Sequence, residues 1–447
     1  MAGGTFNMNQ PKVRPGNYMN FEAKKKIEVP ASKRGICVIP LIGYDWGPHG
    51  TFVTLINNSP DGEKAKLGRS IYDDNDFMRL IRLAFENAVK VHVYLVSGGT
   101  KAEKTEGALT ITALYGGARG NDITVTSTAN LDGGYDISVY LAGELVEVFI
   151  GVETIEALAA VESEYVRFSG EGVLTVFAGA VLTGGKNEAV TNQSVTEYLD
   201  RIEKVKFNTA LIPSEDEVIQ NVAASKIKYL REAIGKTVQF VMPNFEADYL
   251  GVVNVVNSFH KDGVDLSVSQ AAAWVTGATA GADKITSNTY KVVKGATAVV
   301  GEFSNEKAEE AIKAGKFFFS TSDDTEEVMV EYDINSLVHL SEKQDDSYKK
   351  NRVIRVFDSF ADDLNAIIKP AQFDNEPIDW GKMTQLGQLL LKKYSNTDGN
   401  DGAIKNVDLE NDFCVNKPLS TGDSTYFDIN IQPVDSSEKL YYTIKTQ

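Results

Sequence analysis

The sequence is short of the residues that do chemistry: four histidines and two cysteines in 447 positions. His49, His92, His260 and His339 share no metal-ligand spacing, and there is no Cys-x-x-Cys or His-Glu-x-x-His. A structural or catalytic zinc site and a dithiol redox centre are therefore not expected. Cys37, in Ile36-Cys37-Val38, and Cys414, in Phe413-Cys414-Val415, read as small buried hydrophobes of a reducing compartment. No apolar run approaches the roughly 18 residues of a membrane span. The start, Met1-Ala2-Gly3-Gly4-Thr5-Phe6, lacks the basic-then-apolar layout of a signal peptide. The expectation is a chain made and assembled in the cytosol.

Motif searches mostly fail. Gly235-Lys236-Thr237 has Leu230 where a phosphate loop needs its first glycine, and a helix precedes it where a strand should. Gly185-Lys186-Asn187 fails at Ala180 and Asn187. There is no Gly-x-Ser-x-Gly elbow. The loop around Asp398, Asn400 and Asp401 places Asp401 where a calcium loop needs glycine and Val407 at its twelfth position. No catalytic, cofactor-binding or metal residue is assigned, and no cofactor is expected.

What is present is an ordinary globular composition, 43% hydrophobic and 24% charged, in a chain long enough for three or four domains. The net charge of −17 opposes affinity for nucleic acid or an anionic membrane. It is unevenly spread. Residues 1–36 hold Lys12, Arg14, Lys24, Lys25, Lys26, Lys33 and Arg34 against Glu22 and Glu28, a net +5, which leaves −22 for the rest. A basic leading arm on an acidic body either is solvated or meets copies of the same chain.

Along the chain, 1–34 is an extended N-terminal arm, since Pro11, Pro15 and Pro30 exclude a helix. Residues 35–98 begin a parallel α/β core: strand 36–39, amphipathic helix 73–90 with Phe77, Leu80, Ile81, Ala84 and Ala88 on one face, and strand 91–96. Residues 99–186 carry short alternating runs (109–113, 123–125, 135–140, 173–177) and one helix near 155–161, the pattern of an inserted β-sandwich. The core resumes over 187–342, with helices at 195–205, 215–234 and 269–276 and strands at 209–213, 237–241 and 316–319. Residues 343–425 form a C-terminal α+β domain with helices 353–368 and 380–394, and 426–447 is a C-terminal β arm alternating over 426–431 and 440–444. The arms have too few side chains for a core of their own. Either they fold back onto the body, or they add strands to neighbouring copies.

A series of segments then resembles one known family. Arg14-Pro15-Gly16-Asn17-Tyr18, Trp46-Gly47-Pro48, the run from Tyr115-Gly116-Gly117 to Asn121-Asp122-Ile123, and Leu182-Thr183-Gly184-Gly185 are similar to successive landmarks of contractile tail sheath proteins. So are Val330-Glu331-Tyr332-Asp333-Ile334-Asn335, Asn351-Arg352-Val353-Ile354-Arg355, and Ile431-Gln432-Pro433-Val434-Asp435 with the following Glu438-Lys439. The order spans nearly the whole chain and resembles prophage-type sheaths of Gram-positive bacteria and related phage-tail-like bacteriocins. The resemblance implies a mixed α/β core of subtilisin-like topology without the catalytic triad, an inserted β-sandwich, and extended N- and C-terminal β arms.

It implies a non-enzymatic structural subunit: hexameric discs stacked helically around a tail tube protein, with baseplate and tail terminator proteins at the ends, assembled in host cytoplasm and carried in the virion tail. It also implies that the arms add strands to a neighbour's sheet. That assigns Val13, Arg14, Pro15, Tyr18 and Phe21 at the front, and Phe427, Ile429, Ile431, Pro433, Val434, Asp435, Leu440, Tyr442 and Ile444 at the back, to contacts between subunits. Lys24, Lys25, Lys26, Lys33 and Arg34 are expected to meet a neighbour's acidic residues. The alternatives are a static coat or surface-layer subunit, which also exchanges strands, and a subtilisin-like hydrolase, which needs a Ser-His-Asp arrangement.

Overall fold

A run with every residue apolar belongs in a strand covered on both faces, and Ile36-Cys37-Val38-Ile39 occupies that place. In the computed structural model of the chain, which describes residues 2–4, 16–18, 34–397 and 399–445, strand β1 (Ile36–Tyr44) is an interior strand of a seven-stranded sheet. The others are β2 (Phe52–Ile56), β3 (Lys90–Ser97), β4 (Thr209–Leu211), β5 (Gln239–Pro243), β6 (Val252–Val255) and β7 (Lys316–Phe317). The order is β7-β6-β5-β4-β1-β3-β2, parallel except for β2, which runs antiparallel to β3.

Helices cover both faces. On one lie α1 (Asp76–Phe85) and the later Ala-rich helix Val268–Gly281, sharing a core with Ile39, Leu41 and Val93. On the other lie α2 (Asn192–Arg201) and α3 (Glu217–Lys228), packed with Val38, Tyr94 and Phe240. The Ala-rich helix, α4, is buried at every position from Ala271 to Ala280, which its mostly small and apolar side chains permit, the Thr276 hydroxyl donating to the Ala272 carbonyl at 2.7 Å. It closes directly onto α1: a Cβ at Gly277 would lie 2.2 Å from the Ala84 carbonyl oxygen.

The expected helix over 73–90 is shorter. The Asn75 side chain accepts from the Phe77 and Met78 amides and fixes its start. Its end comes before residue 90 because the Val89 and Lys90 amides both donate to the Gly35 carbonyl, turning the chain into β3.

The insertion is two packed sheets: strands 144–152, 135–141, 123–129 and 177–181 in that order, and 166–169, 109–113 and 103–106. Ile111, Val125, Ile137 and Val139 face each other between them, fully buried. The strand expected at 173–177 is displaced to Phe177–Val181, where Ala180 is the buried position and pairs with Val125. Val173 and Val176 face solvent and only Leu174 is buried, so the run does not alternate as an inward-facing strand would. The alternation missed the edge strand Glu144–Val152 altogether, because Leu145, Val148 and Ile150 are exposed.

The family landmarks gather at the junction of insertion and core. Trp46 is buried, donates from Nε1 to the Ala65 carbonyl at 2.9 Å and meets the edge of Tyr115 at 5.3 Å. Gly117 lies so close that a Cβ would be 2.1 Å from the Asp45 carbonyl oxygen. Gly185 and Asn121 exchange two hydrogen bonds, 2.8 and 2.9 Å. Thr100 and Lys186 pair across a short ribbon, so the insertion leaves and returns at one point.

Behind the sheet, α5 (Asn351–Ile367) and α6 (Pro377–Tyr394) pack around Val356, Phe360, Leu390 and Leu391. Among the described residues no helix is long and apolar enough to cross a membrane.

Candidate assembly site: an anchored tail and its bare tip

The last segment alternates apolar and polar residues, which makes it a strand looking for an edge. Its first part finds edges within its own chain. Phe427–Ile429 pairs antiparallel with Phe413–Val415, and Gln432–Pro433 pairs with Ile404–Lys405. Phe427, Ile429 and Ile431 press on the core between α5 and α6. Phe427, Ile429, Ile431 and Pro433, expected at contacts between subunits, therefore also meet their own chain: the first three are half-buried beside Phe413 and Leu390.

The next stretch, 434–439, is held by polar contacts. The Val434 amide donates to the Ala403 carbonyl at 2.8 Å. Lys350 Nζ reaches Asp435 Oδ2 at 2.6 Å and Glu438 Oε2 at 3.1 Å. Arg352 Nη1 donates to Ser436 Oγ at 2.7 Å. Ser287 and Thr289 hydroxyls both donate to Glu438 Oε1 at 2.8 Å. Val434 and Asp435 are therefore also engaged by their own subunit. Burial pulls the Lys350 ammonium down, but hydrogen bonds to Asp435 and Glu438 outweigh it and hold its pKa above the ordinary lysine value. Lys350 and Lys439 both lie over the Tyr332 ring, at 5.7 and 5.9 Å, and burial raises the Tyr332 phenol. Three of the landmark segments, 330–337, 351–355 and 431–441, thus converge on one site.

Beyond Lys439 the character changes at once. Leu440 is 64% exposed, Tyr442 79% and Ile444 89%. Of the predicted C-terminal contact residues, these three are left bare.

At the front, Gly16–Tyr18 pairs in parallel with Ala2–Gly4, so the Tyr18 backbone has a partner in its own chain. Val13, Arg14, Pro15, Phe21, Lys24, Lys25, Lys26 and Lys33 lie outside the described residues. Arg34 is described, and Asp358, Asp362 and Asp283 of its own chain act on its charge; burial, with Arg355 nearby, pulls its pKa down to about 10. The clamp residues Lys350, Arg352, Ser436 and Glu438 were not singled out as site residues. The charged positions set into an otherwise alternating strand were the available signal.

A multidomain α/β chain with an inserted sandwich and a tail tied down to a bare apolar tip has the anatomy of a structural subunit. The chain belongs to the phage tail sheath proteins. Its residues 97–187, 188–336 and 343–447 match the β-sandwich, central and C-terminal domains of that family. It is 31% identical over 474 residues to XkdK of the phage-like element PBSX of Bacillus subtilis (strain 168) and 30% identical over 477 to the uncharacterized protein YqbK of the same organism, covering all of both. Among solved structures, the sheath tail protein of Desulfitobacterium hafniense is 35% identical with a TM-score of 0.81, covering 96% of this chain and 99% of that one. The Listeria innocua sheath tail protein follows at 30% and 0.79, covering 93% and 95%. The helical sheath of the anti-feeding prophage in its contracted state shares the fold at 15% identity and a TM-score of 0.56, covering 98% and 100%. The expectation of a mixed α/β, multidomain tail sheath subunit is borne out.

Proposed function

We propose that this sheath subunit is a contractile one, and that its copies are linked by the bare C-terminal tip adding a strand to a neighbour. The observation that carries this is the abrupt passage from a clamped segment at 434–439 to exposed Leu440, Tyr442 and Ile444. Apolar residues left in water at strand spacing need a second chain to bury them, and a sheet edge supplies both burial and hydrogen bonds. Hexameric discs stacked around a tail tube, ended by baseplate and terminator proteins and built in host cytoplasm, are the assembly this reading entails. Contraction is then rigid-body movement of subunits whose tethers stay paired, driven by the greater burial in the short state.

Within it, we take 35–98 with 187–342 as the α/β body, 99–186 as the outer sandwich, 343–425 as the C-terminal domain, and 1–34 with the end of 426–447 as arms. The sheet order supports the subtilisin-like topology, used here as scaffold and not as an enzyme.

Negative-stain electron microscopy of the purified protein tests this. Full-length chains form striated tubes of two lengths, and deletion of 440–447 leaves a folded chain that forms none. Normal tubes from the deletion sink the linkage; tubes of a single length favour the static coat.

A further inference from the structure

Resting on that reading, we propose that Glu438 is the fixed pivot of the C-terminal arm: the body clamps the chain up to this residue, and the segment after Lys439 turns about it. The clamp draws on three separate parts of the body. Ala403 follows α6, Lys350 and Arg352 stand at the start of α5, and Ser287 and Thr289 lie in the loop after α4. All of them meet within six residues of tail, and Glu438 is where they end.

Glu438 is the best satisfied member. Its side chain is 10% exposed, one oxygen accepts two hydroxyls and the other an ammonium. Thr289 is itself fixed, because its Oγ1 accepts from the Asp333 amide at 3.0 Å, and Asp333 is paired to buried Arg355 at 2.8 Å. The pivot is therefore built into the buried polar network that joins α5 to the main sheet. After it come only the Lys439 ammonium over Tyr332 and then exposed residues. Residues 440–445 alone reach about 20 Å when extended. A neighbour's accepting edge has to fall within such a radius of Glu438 in every state of the lattice, and movement between states is absorbed beyond the pivot while the clamp stays closed.

Glu438 acts as a positioning residue, and spin labels on the full chain read it. The labels go at Ser437→Cys or Thr443→Cys in a Cys414→Ser background, with the protein kept unassembled. In the parent, the nitroxide at 437 is immobilised and that at 443 is fast. Glu438→Ala mobilises 437 to the level of 443 and lowers the urea midpoint of the body by no more than Lys350→Met does. Glu438→Gln, which still accepts from Ser287 and Thr289, restores the immobilised signal. A 437 label already as fast as 443 in the parent, a 437 label still immobilised in Glu438→Ala, or a large loss of body stability in that variant would each overturn the pivot. Because this is read without assembly, it stands or falls separately from strand exchange, which the 440–447 deletion tests by tube formation.

Discussion

Arg355 and Asp333 are both buried, 0% and 1% exposed in their side chains, and lie 2.8 Å apart. The carboxylate is fully engaged: Asn288 N and Arg355 on one oxygen, Asn351 Nδ2 at 3.0 Å on the other. The guanidinium is less so, with Nε and Nη1 unpartnered among the described residues. Such a pair specifies position more than it stabilises, yet removing one partner strands the other's charge in the interior. Asp333→Ala is expected to cost about 3–5 kcal/mol, measured by urea unfolding. The Lys350 clamp gives a second expectation. Its folded pKa lies above the unfolded value, so its stabilisation is fully present below about pH 10 and is lost as pH rises through the folded pKa. Lys350→Met should lower stability by about 1.5–3 kcal/mol at pH 7. The gap to the parent should stay constant to pH 9 and narrow above the unfolded pKa. A gap that widened with pH would contradict the assignment.

At the scale of elements, the contact between α1 and α4 is set by two glycines. A Cβ at Gly277 would come within 2.2 Å of the Ala84 carbonyl oxygen, and one at Gly281 within 2.0 Å of that of Asn87. Both neighbours are backbone and cannot swing aside. Gly277→Ala, favourable in an isolated helix, should here destabilise by about 1–3 kcal/mol through overpacking. Thermal unfolding decides the sign. The same contact explains why the helix predicted at 269–276 runs on to Gly281: α1 covers its last turn, and burial extends what propensity alone would end.

For the whole molecule, the insertion is attached at one ribbon, Gly99–Thr100 against Lys186–Asn187. One face of the parallel sheet has a core of its own, and the core of the other face runs on into the sandwich past Trp46. Excising 101–185 and closing the gap with a short Gly-Ser linker should leave that sheet folded, with native-like circular dichroism. Trp46, which loses Tyr115 and Tyr165 as neighbours, should shift its fluorescence to the red. Loss of cooperative unfolding in the excised chain would mean that sandwich and core fold as one unit.

Apolar runs and periodicities marked most of the helices and the long strands of the main sheet, because burial of a strand on both faces or a helix on one leaves a local pattern. The same local logic located the arms and the family landmarks. It could not say which alternating stretches find an edge at home. Residues 426–431 and 440–444 read alike as sequence, yet only the first lies against Phe413 and the α5–α6 core, while the second projects past Glu438 into solvent. Pairing across a sheet joins residues far apart in the chain, so no short window contains it. The meeting of Thr289, Tyr332, Lys350 and Glu438 is likewise a product of four separate segments folding onto one another.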